Sequence, residues 1–517
     1  MTSKKILMLA AENDMLPGAK VGGVGDVIRD LPSALVKEGC EVSVILPSYG
    51  FLARLPGLLE IAKLELHFSG FPQQLTLYKL EETVDGVENY IIHSELFAPH
   101  GEQVYCNDPD WRPFASDATK FAFYCQAVAQ SLLKGLLPLP DVVHLHDWHT
   151  AFFLVLREYN EIYRDLKAIP CVYTIHNLAM QGVRPFKNDD SALETWYPDL
   201  SYDGVVLADP TFPECFNPMR AAILLADKVN TVSPGYAQEI QQRSQHELGI
   251  YGGEGLENEL QTRAQAGELF GILNGCVYDR KNSIKKPGKA ELVDLAHLCL
   301  QQWAGQQRQL LSAHWIADYA LDELKRSRKT RFTVTSVGRI TDQKALLLQH
   351  SLANGKRVLE QVLENLGDKG LFILLGSGDE KLENFFTRCS GRYRNFIFLN
   401  GYSDALSKLI YHYGDLFLMP SSFEPCGISQ MLAMRAGQPC LVNAVGGLRD
   451  TVEHGETGFV FSGENLDTQA QALVDGLQEA KNLWESQPES WSGIRHRAAQ
   501  KRFSWKVAAK TYLEKMY

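Results

Sequence analysis

A carboxylate set in a turn that also frees backbone amides suits a phosphorylated sugar, and the run from Pro420 to Ser429 carries this combination. Pro425 and Gly427 fix a turn into a helix, which leaves the amides of Gly427, Ile428 and Ser429 free for an anion. Glu424 is a poor neighbour for phosphate; it makes sense as an acceptor for ribose or sugar hydroxyls. Gly446, Gly447, Leu448, Arg449, Asp450 and Thr451 follow one βα unit later. Upstream, Gly338-Arg339 and then Asp342-Gln343-Lys344 put two cations five positions apart just past an apolar run. Across a strand-to-helix turn both can reach one diphosphate, although any strand end may carry solvated cations.

The N-terminal half has its own polar strand ends. Lys20-Val21-Gly22-Gly23-Val24-Gly25-Asp26 follows the first apolar run and opens a helix. Its glycines let a ligand approach the backbone, the helix offers unpaired N–H groups, and Lys20 adds a positive charge. The spacing is not G-x-G-x-x-G, and a tight turn with a solvated lysine explains it equally well in isolation. His144-Leu145-His146-Asp147-Trp148-His149 ends another apolar run. Imidazole and carboxylate suit zinc. Against that, His144 and His146 share a strand face that points into the packing, and no matching ligand cluster is evident. Asp147 and His149 are expected to line a cleft or meet an acceptor. Thr174-Ile175-His176-Asn177 ends a third run, so its polar tip emerges at the same rim.

These tips need a scaffold. Val- and Ile-rich runs at Lys5 to Ala11, Glu41 to Leu46, Asp141 to His146, Cys171 to His176 and Lys228 to Ser233 alternate with amphipathic stretches. That alternation predicts parallel βα units. Pieces at Thr76 to Leu80 and Tyr90 to His93 look like an inserted hairpin. A second series runs through Phe332 to Gly338, Leu371 to Gly376, Asn395 to Asn400, Asp415 to Pro420 and Pro439 to Asn443. Between the two series lies a polar, helix-prone stretch, with Arg280, Lys281, Lys285 and Lys286 near its start, that reads as a hinge. The expected division is 1–278, a hinge at 279–330, 331–500, and a terminal helix at 501–517. The fold class is α/β: two open sheets whose ligand loops at the strand carboxyl ends face across a deep cleft.

At 517 residues, two domains are the natural expectation. A net charge of -11 gives no footprint for nucleic acid or an anionic membrane, whereas a neutral polymer is an acceptable partner. Ten cysteines without a Cys-x-x-Cys pair read as reduced, buried thiols. Lys4-Lys5 has the charge of a signal peptide, but Glu12 and Asp14 cut the apolar run short, so it reads as a buried first strand. No stretch approaches the roughly 20 apolar residues of a membrane span. The expectation is a cytoplasmic enzyme.

With these residues in this order, the sequence resembles the bacterial glycogen synthase and plant starch synthase family, retaining glucosyltransferases of the two-domain GT-B fold. The resemblance runs through Lys20 to Val27, His146 to His149, Thr174 to Gln181, Ala226-Asp227, Thr231 to Pro234, Gly271 to Gly275, Arg339 with Gln343-Lys344, Pro420 to Gly427 and Gly446 to Val452. It implies that Lys20, Arg339 and Lys344 hold the donor's phosphates. It also implies that Asp26, His176, Asn274 and the Glu424 loop surround the glucose, with Gly22, Gly23, Cys426, Gly427, Ile428, Ser429 and Thr451 in the donor site. Tyr402 matches the position where the family stacks an aromatic ring on adenine, and the last helix matches one that returns to the first domain. Val21, Val24, Ala345, Ser422, Cys276 and Val277 depart from the family pattern; they spare the charged groups and bear on donor and acceptor preference.

The implied reaction adds glucose from a nucleotide sugar, ADP-glucose by preference over UDP-glucose, to an α-1,4-glucan with retention of configuration. Cations and helix-end amides would stabilise the departing diphosphate, so no metal or other cofactor is expected. Asp108-Pro109-Asp110 is an Asp-x-Asp in the inserted region, away from the rim motifs. The alternatives are a synthase of a small glucoside and a catalytically silent glucan-binding protein. A phosphorylase of this fold would need pyridoxal phosphate.

Overall fold

The computed structural model describes residues 3–278, 286–306, 311–328 and 331–517. The chain divides into two compact units, the first made of Met1–Ser244, Gly252–Val277 and Ser504–Tyr517, the second of Gln245–Tyr251 and Tyr278–Phe503.

Unit 1 is built on nine strands: β1 (Lys5–Leu9), β2 (Glu41–Pro47), β3 (Leu58–Phe68), β4 (Phe71–Leu80), β5 (Glu88–His93), β6 (Val142–His146), β7 (Cys171–Ile175), β10 (Lys228–Thr231) and β11 (Leu269–Gly271). A separate two-residue ladder joins β8 (Arg184–Pro185) to β9 (Cys215–Phe216). The sheet order is β11-β10-β7-β6-β1-β2-β5-β4-β3, and all pairings are parallel except β3 with β4 and β4 with β5. β1 is apolar after Lys5, and β6 and β7 are buried at every residue, as in a parallel sheet covered on both faces. The expected hairpin is therefore larger than the sequence suggested: β3 and β4 form it, while β5 joins it to β2 in parallel register.

The order reverses between β1 and β6. Loops leaving the carboxyl ends of neighbouring strands diverge at such a switch point and leave room for a ligand. Helix α1 (Gly23–Lys37) follows β1, and helix α2 (Ala115–Leu133) packs against the turn that follows β6, where Cys125 Sγ meets His149 O at 3.5 Å. The helix Trp505–Lys515 completes this unit's core: Trp505, Tyr512 and Met516 are buried, and the Trp505 indole N–H donates to Asp30 Oδ2 at 3.0 Å. Gly275 is required where this helix begins, since a Cβ there would stand 2.5 Å from Trp505 N.

Unit 2 contains β12 (Phe332–Val337), β13 (Gly370–Gly376), β14 (Phe396–Asn400), β15 (Leu416–Met419), β16 (Cys440–Asn443) and β17 (Gly458–Phe461), all parallel, in the order β14-β13-β12-β15-β16-β17. This is the doubly wound dinucleotide-fold order, with its switch point between β12 and β15. The segment expected as a hinge is not a bare linker. Lys289–Gln306 and Ser312–Arg326 are helices of unit 2, with Leu292, Val293, Ala296, Ala313, Ala317 and Leu321 buried. Their apolar faces outweigh the surface polarity that suggested a linker. Arg280, Lys281 and Lys285 lie outside the described residues, while Lys286 Nζ pairs with Asp415 Oδ1 at 2.8 Å. Residues 245–251, expected within the first domain, belong to unit 2, where Tyr251 packs on Phe423 with ring centroids 4.6 Å apart.

Candidate active site

In unit 2, the turns after β12 and β15 meet at the switch point. Ser422 N–H donates to Gln343 O and the Gln343 amide to Phe423 O, both at 2.8 Å, so the two turns are tied by backbone. Lys344 Nζ stands 3.1 Å from Glu424 Oε2, which also accepts from Ser421 Oγ at 3.1 Å. Glu424 is only 7 % exposed, so it is largely desolvated and its lysine partner matters. Its other oxygen, Oε1, accepts no hydrogen bond among the described residues. Arg339 is exposed and makes no ion pair among them. The Thr341 and Ser422 hydroxyls are buried without a partner among the described residues. A small cavity of about 30 Å³, lined by Gly338, Arg339, Lys344, Pro420 and Ser421, has room for water rather than a sugar.

Gly427 has φ +74°, the left-handed conformation expected of the turn. The amides of Gly427, Ile428 and Ser429 reach no acceptor among the described residues, as expected for an anion cradle. Cys426 and Thr451 are placed differently from their expected contact roles. Cys426 is buried, and its carbonyl lies against Gly447, where a Cβ would come within 2.3 Å. Thr451 is 1 % exposed; its hydroxyl donates to Gly447 O at 2.7 Å and accepts from the Gln430 amide at 3.2 Å. The Thr451 side chain and the Cys426 backbone brace the turn, because a glycine-rich turn needs something to fix it. Tyr402 is 59 % exposed, with its hydroxyl on Asp404 Oδ1 at 2.5 Å, and can offer a ring face.

In unit 1, the glycine loop after β1 is arranged otherwise than expected. Two of its amides are not open to an anion: Val21 and Gly22 N–H donate to Glu12 Oε2 at 2.7 and 2.5 Å, while those of Gly23, Val24 and Gly25 reach no acceptor among the described residues. Glu12 is 2 % exposed and accepts a third bond, 2.8 Å, from the Tyr105 hydroxyl. A buried carboxylate thus holds this part of the loop, and at Gly25 a Cβ would press on it, meeting Glu12 Oε2 at 3.3 Å and Lys20 Cγ at 3.1 Å. Gly23 has open space where a Cβ would stand. Lys20 Nζ lies 2.7 Å from Asp26 Oδ1 and 3.2 Å from Asp14 Oδ2. Burial would depress this lysine, but the two carboxylates more than offset it and hold it above its usual value. Arg29 reaches Asp14 as well and stands 3.2 Å from Asp26.

The loops after β6 and β7 interlock. Asp147 has φ 57° and ψ 178°, a strained conformation for a residue with a Cβ. The strain is compensated by its carboxylate, which accepts from His176 N–H at 2.7 Å and Asn177 N–H at 3.4 Å. Asp147 therefore orients the His176 backbone and does not line an open cleft. Burial pushes its carboxyl up to about 7 despite those two bonds. His149 is buried against Phe121, Trp148 and Tyr105, so it packs the loop instead of meeting an acceptor. His144 and His146 stack with centroids 4.1 Å apart, and His146 Nδ1 stands 3.0 Å from His176 Nε2. Burial drives His144 and His176 down to about 3 and His146 well below its ordinary value, so all three are neutral. Asn274 is buried, and its Oδ1 has no partner among the described residues.

Among the described residues no group of three or more His, Cys, Asp or Glu is gathered as metal ligands. Asp108, of the Asp-x-Asp, instead caps α2 through Ser116 N at 2.8 Å and Ser116 Oγ at 2.6 Å. No helix of the described residues is long and apolar enough to cross a membrane. Glu12 and Tyr105 are the site-region residues that sequence reasoning missed; the signal for Glu12 was an acid at the end of a buried strand, the position its partners' amides require.

Residues 5–262 match the family described as starch synthase catalytic domain, and residues 321–491 match glycosyl transferases group 1. The glycogen synthase of Streptococcus equi subsp. equi (strain 4047) is 34 % identical over 99 % of this chain and 98 % of its own. That of Streptococcus sanguinis (strain SK36) is 35 % identical over 98 % of both chains. Among solved structures, the catalytic domain of starch synthase IV from Arabidopsis thaliana, bound to ADP and acarbose, superposes with a TM-score of 0.74 at 26 % identity, over 99 % of this chain and 98 % of that one. Sucrose-phosphate synthase from Thermosynechococcus elongatus shares the fold alone, with a TM-score of 0.55 at 16 % identity. Two parallel α/β units of this order, with the Lys344–Glu424 pair at a switch point and relatives matching end to end, place the chain in the glycogen and starch synthase family of GT-B glycosyltransferases, enzymes that elongate a glucan from a nucleotide sugar.

Proposed function

We propose that this glucosyltransferase uses ADP-glucose, retains the α configuration, extends α-1,4-glucan and needs no metal. One observation carries the reading: at the switch point of a dinucleotide-type sheet, a lysine pairs with a buried glutamate whose second oxygen accepts no hydrogen bond among the described residues, and Arg339, with no ion pair among them, lines a small cavity with that lysine. Breaking the anomeric bond leaves charge on the diphosphate. Arg339, Lys344 and the Gly427 to Ser429 amides are preorganised donors for that charge, which is the work a metal would otherwise do. Glu424 Oε1 accepts from a sugar hydroxyl. Tyr402 gives adenine a stacking face, and the ADP held by the starch synthase IV structure supports that choice of base.

In unit 1, Lys20 is already drawn to two carboxylates and can exchange one for a phosphate. His176 and Asn274 contact the reacting glucose through His176 Nδ1 and the unpartnered Asn274 Oδ1. A nucleotide sugar and a glucan store are intracellular materials, and a cytoplasmic enzyme follows from them.

The test is a side-by-side assay of ADP-glucose and UDP-glucose with glycogen or free sugars as acceptor, with and without chelator. Faster incorporation from ADP-glucose into a polymer that α-1,4-specific hydrolysis releases is the expected result, unchanged by the chelator. Preference for UDP-glucose, transfer to free sugar only, or loss on chelation each removes the corresponding part of the reading.

A further inference from the structure

The histidine column under His176 has a definite proton arrangement. His144 Nε2 lies 2.6 Å from Thr174 Oγ1, whose hydroxyl donates to Asn230 Oδ1 at 2.6 Å. The Asn230 amide is oriented by its Nδ2, which donates to the Tyr512 hydroxyl at 3.0 Å and to Thr231 O at 3.4 Å. A hydroxyl has one proton to give, so Thr174 accepts from His144. His144 is the Nε2–H tautomer, and its Nδ1 accepts from the Tyr517 hydroxyl at 2.6 Å.

His146 poses the sharper question. Its Nδ1 faces His176 Nε2 across 3.0 Å, and its Nε2 is buried with no partner among the described residues. Two neutral imidazoles share one proton along that contact. Were it to come from His176, His146 would keep its own proton on Nε2, a sealed N–H with nothing to donate to. If it comes from His146, only an acceptor lone pair is left without a partner. Buried orphan N–H groups are the rarer of the two defects, and an unmade buried donor loses its full hydration. His176 Nδ1, in contrast, makes no hydrogen bond among the described residues and is not sealed in the way His146 Nε2 is.

We propose that His146 is a positioning residue: its Nδ1–H donates to His176 Nε2 and holds His176 as the Nδ1–H tautomer, so that the ring nitrogen left for ligand is a donor. His176 then gives a hydrogen bond to a sugar oxygen and takes no proton at that nitrogen. The inference rests on the reading that His176 contacts the reacting glucose, and deepens it.

The experiment is long-range ¹H–¹⁵N correlation on the full chain labelled at histidine, with His176 assigned by its own substitution, alongside donor and glucan kinetics. The unsubstituted protein should show the Nδ1–H pattern at His176. In His146→Phe nothing donates to His176 Nε2, so the Nδ1–H form should no longer be held alone and a share of Nε2–H should appear, with kcat down about tenfold, the scale of one misdirected neutral hydrogen bond, and the glucan KM little changed. His146→Asn, whose amide N–H stands near the lost Nδ1–H, should restore both and also shows that the fold tolerates substitution there. An Nε2–H pattern in the unsubstituted chain, or no change in His146→Phe, overturns the assignment. A tautomer that shifts as stated while turnover stays constant upholds the His146 role and removes the His176–sugar contact instead.

Discussion

Glu424 is pinned by one oxygen and free at the other, which suits a residue that must meet a ligand without moving. Replacing it with alanine also leaves Lys344 without its partner. Lys344→Ala and Glu424→Ala should each lower kcat by about two to four powers of ten, the scale for a lost transition-state contact. Steady-state kinetics with the preferred donor measures this, and turnover within threefold of the unsubstituted enzyme ends the assigned role. The motif residues were legible in the sequence because each stands at a strand end, where polar side chains have no packing reason to be. Glu12 was not: its partners are the amides of Val21 and Gly22, nine and ten residues on, and no side-chain pattern records a bond to backbone. Asp147 and His149 show the converse, as polar residues in a motif that prove to hold its loop.

At the scale of elements, the two turns at the β12–β15 switch point depend on a few backbone positions. Gly427 is one, since at φ +74° a Cβ would also approach Gln430 Oε1 to 2.6 Å. Gly427→Ala should destabilise the fold by about 1 to 3 kcal/mol. It should also displace the amides that follow, so the donor KM should rise; a thermal shift together with donor titration checks both. An alanine variant with unchanged Tm and KM contradicts this account of the turn. Most strands could be read from their Val- and Ile-rich runs. β3, β11 and β17 escaped, and of these Leu269–Gly271 is too short for any periodicity to register. The helices Lys289–Gln306 and Ser312–Arg326 were taken for a linker because their buried faces are narrow and their outer faces strongly polar.

For the whole molecule, acid should be the weak side. His144 and His176 take up protons near pH 6.5 when unfolded but only at about 3 when folded, and burial depresses His146 and His149 further. Below 6.5 the unfolded chain therefore binds more protons, and stability falls with pH, by up to about 1.4 kcal/mol per histidine per pH unit. Asp147 acts oppositely, favouring the folded state as it protonates between its ordinary 3.8 and about 7, and Asp26, also raised by burial, joins it, but they are two groups against four. Denaturant midpoints should therefore decrease steadily from about pH 6.5 to 5, and a flat or rising series would contradict the buried neutral histidines. Ending the chain after Phe503 should cost unit 1 more than about 5 kcal/mol through loss of Trp505, Tyr512 and Met516 from its core. Hydrogen exchange read peptide by peptide should show protection lost in unit 1 and kept in unit 2; uniform retention would mean the helix is dispensable.

That same helix sets a timetable for biosynthesis. Although most of unit 1 precedes unit 2 in the chain, the residues that close its core, 504–517, are synthesised only after unit 2. The lobe translated second can consolidate first, while the earlier one waits, with the His144 and Asn230 side chains lacking their Tyr517 and Tyr512 partners, until residues 504–517 have emerged.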